Sequence, residues 1–222
     1  MHARTQNVKA AKASSRAYPG RPQAELAGVN LYWLPLGAGG QSVRVNGIVY
    51  EALIAQFERR RRCDLYHSAL QIRVPEGDFV IEMTPVRAAD GAERDVVATG
   101  PVGARWAGRF RIFRYEIRRW RDGVIPDVAE AVESPRRVID NVEGSRKVLD
   151  LVPWVPTPVW GRDELNTGDM WNSNSVVSWL LTRSGLDAES IRPPTGGRAP
   201  GWHAGLVVAR RQMSEPRSPA AG

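Results

Sequence analysis

A serine between two asparagines, Asn172-Ser173-Asn174, stands ahead of an apolar run in which Val176, Val177, Leu180 and Leu181 recur at the spacing of one buried helix face. The pattern predicts a helix that begins near Ser173. Unpaired N–H groups and the positive end of the helix dipole gather at such a start. A hydroxyl there suits either of two roles: a cap, or a nucleophile whose developing negative charge meets donors. Serine and asparagine before apolar periodicity are ordinary start signals, so on this stretch alone the cap is the simpler account. The other residues able to do chemistry lie a hundred positions earlier. His67 lies near the start of the strand-like run Leu65 to Val74, and Glu82 lies in Phe79 to Thr84, across a Pro75-Glu-Gly-Asp78 turn. A histidine alone at a strand start is more often structural. Glu82 alone is uninformative.

These groups need a frame, and the chain supplies one of mixed type. Leu31 to Leu36 reads as a short strand closed by Gly37-Ala-Gly-Gly40, and 47–61 as a helix with Asn46 as its cap. Arg59 to Arg62 suit that helix's C-terminal end better than a phosphate site. Residues 65–74 and 79–84 predict a hairpin. Residues 94–102 and 108–121 continue as strands, the second alternating Phe113, Tyr115 and Ile117 with Arg114, Glu116 and Arg118, as a sheet with one wet face requires. Weak helical spacing marks 139–151. The proline-rich stretch Val152 to Trp160 predicts an extended crossing packed over the core. Ala204 to Ala209 reads as a last strand. The expectation is one α+β domain over 30–209, an antiparallel sheet packed against helices, with a disordered basic arm at 1–29 and a flexible tail at 210–222.

Composition narrows the function. A length of 222 residues with 42% apolar content and eight tryptophans supports one well-buried core. The net charge of +7 sits largely in the ends: residues 1–29 carry +4 and the stretch after Leu206 carries +2, leaving +1 for the body. Nucleic-acid binding is therefore expected only weakly, through the arm. Cys63 is the only cysteine, which excludes an intramolecular disulfide and a cysteine metal cluster. No cofactor or metal is expected, since no dinucleotide-binding glycine fingerprint or phosphate-binding loop occurs. With no run of about 18 apolar residues and no signal-peptide core, a cytoplasmic location is expected.

The arrangement of these parts resembles the circularly permuted papain-like superfamily, which includes PPPDE-type deubiquitinating peptidases, lecithin–retinol acyltransferase-like proteins and, in unpermuted order, NlpC-type cell-wall peptidases. There the catalytic histidine begins a strand of the form His-x-Gly/Ala followed by alternating apolar residues. A glycine turn comes next, and the following strand carries a third polar residue. His67-Ser-Ala-Leu-Gln-Ile72, Gly77 and Glu82 stand in those places. In permuted members the nucleophile comes later, between asparagine and a helix start. Asn172-Ser173-Asn174 matches with serine where the superfamily has cysteine. The likeness covers about 60–85 and 165–185. Over 30–209 the chain also resembles a family of bacterial proteins of uncharacterised activity carrying the same WGRDEL…MWNSNS pattern.

The resemblance implies a hydrolase or acyltransferase acting on a peptide, amide or ester. Ser173 would attack, His67 would act as base and Glu82 would orient it, with Asn172, Asn174, Trp171 and Arg162 as substrate-binding candidates. The alternative is an inactive module of the same fold that has lost its cysteine and keeps the cleft for a ligand. Serine is the harder nucleophile. A thiol can ionise beside an imidazole, whereas a hydroxyl must surrender its proton during attack. Trp160, Asp163 and Trp202 flank the same helix. Arg162 could meet a substrate carboxylate or pair with Asp163 or Glu164. Cys63, four residues before His67, is expected to be a packed thiol.

Overall fold

The structure, a computed structural model, describes residues 27–36, 63–86 and 95–215. Six strands form one sheet: β1 (Gly28–Pro35), β2 (Tyr66–Val74), β3 (Gly77–Pro85), β4 (Val96–Pro101), β5 (Arg114–Arg121) and β6 (Val132–Ile139). They lie in the order β4-β5-β3-β2-β1-β6, each antiparallel to its neighbours. Among the described residues, helices α1 (Val142–Leu151), α2 (Ser173–Ser184) and α3 (Trp202–Ser214) make the second layer. The class is α+β, an antiparallel sheet packed against helices.

Strand alternation divides the sheet into two faces. Val29, Leu31 and Trp33 of β1, Leu70 and Ile72 of β2, Ile81 of β3 and Tyr115 and Ile117 of β5 meet the helices through Val148, Val176, Leu180, Leu181 and Leu206. The opposite face carries a smaller cluster, Leu34, Ala69, Val80 and Ile125. The proline-rich crossing packs through its valines as expected, whereas Trp154 is exposed. After a single 3-10 turn at Val152–Trp154 it runs with Val155 and Val159 buried, and the buried Tyr115 hydroxyl donates to the Pro158 carbonyl at 2.8 Å.

Three elements differ from the sequence expectation. Ala204 to Ala209 is no strand. It lies inside α3, which is preceded by Gly201 as its N-cap with φ +86° and continues past Ala209 to Ser214, into the stretch expected as a tail. A short apolar run does not distinguish strand from helix. The strand expected over 108–121 begins only at Arg114, because Trp106–Arg109 and Arg111–Phe113 form 3-10 turns. Its polar face is also drier than expected, since Arg118 is buried between Glu116 and Glu82. Finally, β6 was not anticipated. Its Pro135 and its charged, largely exposed residues disguise a strand, yet an edge position tolerates proline, and Ser134 Oγ accepts the Trp33 N–H at 2.8 Å. The helix expected over 47–61, Arg59 to Arg62 and nearly all of the arm lie outside the described residues.

Candidate functional site

The sheet splits at one end. Pairing between β2 and β3 stops at Leu70↔Ile81, while β2 continues along β1 as far as Pro35↔Tyr66 and β3 continues along β5 as far as Pro85↔Tyr115. The two strands therefore part into a fork. A cavity of about 340 Å³ occupies it, with His67, Ser68 and Ala69 on one lip and Glu82, Met83 and Thr84 on the other. The start of α2 (Asn172, Ser173, Asn174) borders it, as do Asp127 and Trp160. Most of the remaining wall is apolar, from Leu34, Leu36, Leu65, Ile125 and Met170.

Ser173 reaches this wall because its neighbours hold the helix start. Asn172 is the cap: its side-chain oxygen accepts the N–H groups of Asn174 at 2.9 Å and Ser175 at 3.4 Å, and Ser175 Oγ accepts the Asn172 N–H at 3.0 Å in return. Asn172 also donates through Nδ2 to the Pro200 carbonyl. Ser173 is the first helical residue, and its hydroxyl makes none of the bonds that fasten this turn. The cap role open to it in the sequence belongs to Asn172. The same cap consumes the N–H groups of Asn174 and Ser175, and the N–H of Ser173 is not part of it.

Asn174 ties the helix start to the strand. Its Nδ2 donates to the carbonyls of Tyr66 at 2.9 Å and Pro200 at 2.8 Å, and its Oδ1 accepts from Ser68 Oγ at 2.8 Å. With 1% of its surface exposed, every polar group of the side chain is used. It acts as a brace at the back of the cavity.

His67 comes to the cavity from the other side. It lies opposite Leu34 in the register, so it shares the face of Leu34 and Ala69, whereas Ser68 lies opposite Trp33 and turns toward the helices. Only because the sheet is split do His67 and Ser173 border one space. No hydrogen bond joins their side chains. Burial pushes the His67 imidazole down to about 4, against a smaller upward pull from the Asp127 carboxylate, so the ring is neutral at pH 7. Glu82 also lines the cavity, but its Oε1 lies 3.5 Å from Arg118 Nη1, and Arg118 in turn holds Glu116 at 2.7 Å.

The structure thus brings Ser173, His67, Glu82, Asn172, Asn174 and Trp160 to one cavity. Trp171, Trp202, Arg162 and Asp163 are not among its lining residues. Trp171 is 2% exposed within the core, and Trp202 packs on Trp33 with ring centroids 5.1 Å apart. Arg162 Nε donates to the Gly103 carbonyl at 3.0 Å, and its two expected acidic partners are engaged elsewhere: Asp163 by Thr167 and Gly168, Glu164 by Arg105 and the Val159 N–H. Cys63, expected to be packed, is half-buried. Neither Asp127 nor Ser68 stood out as a site residue before the fold was known. Asp127 sits in an unpatterned turn with φ +56°, and Ser68 reads as an ordinary strand residue. Among the described residues no cluster of histidine, cysteine or carboxylate groups could hold a metal.

Compared with family models, with curated proteins and with solved structures, the chain matches none. No helix among the described residues is long and apolar enough to cross a membrane.

Proposed function

We propose that the fork is the cleft of a hydrolase or acyltransferase acting on an amide or ester, with Ser173 as nucleophile and His67 as base. Ser173 Oγ would attack the carbonyl carbon, the neutral imidazole would take the hydroxyl proton, and the departing amine or alcohol would receive it. The observation that carries the reading is the release of Ser173 from capping: a buried hydroxyl at the first position of α2 faces a largely apolar cavity while Asn172 secures the helix. The chain order His67, Glu82, Ser173 supports a permuted papain-like ancestry with serine in the cysteine's place. For orientation of the imidazole, Asp127 is the better placed acid, because its charge acts on His67 and Glu82 faces Arg118.

A second reading is a binding module of the same ancestry that has lost its catalytic cysteine. It is favoured by one feature, the approach of His67 and Ser173 from opposite faces of the split sheet with no hydrogen bond between them. Labelling with a fluorophosphonate probe separates the two. A hydrolase is labelled on Ser173, and both Ser173→Ala and His67→Ala abolish the signal. No labelling of the folded protein, or labelling indifferent to both substitutions, leaves the binding module.

A further inference from the structure

Residues 103–114, Gly-Ala-Arg-Trp-Ala-Gly-Arg-Phe-Arg-Ile-Phe-Arg, connect β4 to β5 and contain four arginines and no acid. They fold on themselves: Ala107, Gly108, Phe110 and Phe113 each donate a backbone N–H three residues back, at 2.9 to 3.2 Å. Ala107 is the buried anchor. The large apolar side chains point outward. Trp106 is 68% exposed, Ile112 73%, Phe110 46% and Phe113 43%. Arg109 lies over the rings of Trp106 and Phe110, 5.8 and 4.8 Å from their centroids. Exposing four such side chains within eight residues is costly in water, and the segment's own charges are all positive, with Glu164 paired to Arg105 alone.

We propose that this protrusion inserts into an anionic phospholipid surface. Indole and phenyl rings suit the headgroup boundary, isoleucine suits the acyl region just beneath it, and Arg109 and Arg111, interleaved with them, meet lipid phosphates. Charge complementarity and side-chain type together select this occupant. Single-stranded nucleic acid also uses arginine with aromatic rings, but it needs free ring faces for stacking. Here Arg109 covers Trp106 and Phe110, and the most exposed apolar residue, Ile112, has no π-face. The base of the protrusion adjoins the cavity wall, since Gly103 N–H donates to the Trp160 carbonyl at 3.2 Å and Val102 pairs with Trp160. A surface-bound molecule would therefore hold the fork near the lipid boundary. The inference stands whether or not Ser173 is catalytic.

The test is co-sedimentation of the full chain with vesicles of phosphatidylcholine mixed with phosphatidylglycerol, beside vesicles of phosphatidylcholine alone and a single-stranded oligonucleotide. Binding to the anionic vesicles is expected. It should fall about tenfold or more when Trp106, Ile112 and Phe113 are changed together to Ser. It should fall about fivefold in Arg111→Gln, and stay unchanged in Met213→Ser, an exposed apolar control on α3. Absence of vesicle binding overturns the proposal. So does binding that the triple variant leaves intact, which would assign it to another part of the chain, and so does oligonucleotide binding lost in that variant without any vesicle binding.

Discussion

His67 is a half-buried base held neutral, and this has a consequence for stability. In the folded protein its proton affinity is lowered to about 4, against an ordinary value of 6.5 when unfolded. Between those pH values the unfolded chain binds the proton and the folded chain does not. Stability contributed by the neutral ring is therefore complete above about pH 6.5, is lost progressively as the pH falls, and levels off below about 4. The span corresponds to at most about 3 kcal/mol. Urea unfolding of wild type and His67→Gln at pH 7 and pH 4.5 should show the wild type losing more stability on acidification. Equal losses would mean that the ring is solvated. The same residue shows what a sequence can and cannot disclose. His67 and Ser173 were legible as reactive types in a suggestive order. That Asn172 would take the cap, that Arg118 would hold Glu82 and that Asp127 would act on His67 were not, because each depends on which side chain reaches first.

At the scale of elements, the central hairpin and α2 were legible because their periodicities are long and consistent. The hairpin was signalled by turn residues between two apolar runs, although its loop is Pro75 and Glu76 rather than the whole of Pro75 to Asp78, and α2 was signalled by a capping pattern followed by a helical face. The splitting of that hairpin at its open end had no local signal. It arises because β2 stays with β1 and β3 stays with β5 beyond Leu70↔Ile81. The last helix was misjudged for a physical reason that its glycine explains. A Cβ at Gly205 would collide with the Ser175 carbonyl and the Ser178 hydroxyl, so the glycine marks the closest approach of α3 to α2. Ser178 Oγ donates to the Trp202 carbonyl at 2.8 Å and Ser175 Oγ to the Gly201 carbonyl at 2.8 Å, fastening the same crossing. Gly205→Val should cost about 2 kcal/mol or more through overpacking, read as a lowered urea midpoint. A midpoint equal to wild type would show that the helices separate without penalty.

Across the whole molecule, the α+β class followed from patterning, because strand-like and helix-like segments in one chain bury their apolar faces against each other. Activity is less legible at this scale, since function resides in a site rather than in a fold. The charge distribution read from the sequence turned attention to the chain's ends, but it hid the protrusion at 103–114, whose four arginines stand without an acid in the segment and disappear into the near-neutral total of the body. The central claim is that position 173 and His67 share one working space across the split sheet. Replacing Ser173 by Cys and measuring iodoacetamide alkylation of that residue, mapped by mass, asks this directly. A neighbouring neutral imidazole should accelerate alkylation near pH 7, and adding His67→Ala should slow it about tenfold or more. Alkylation at the rate of an ordinary thiol, unchanged by loss of the histidine, would contradict the account.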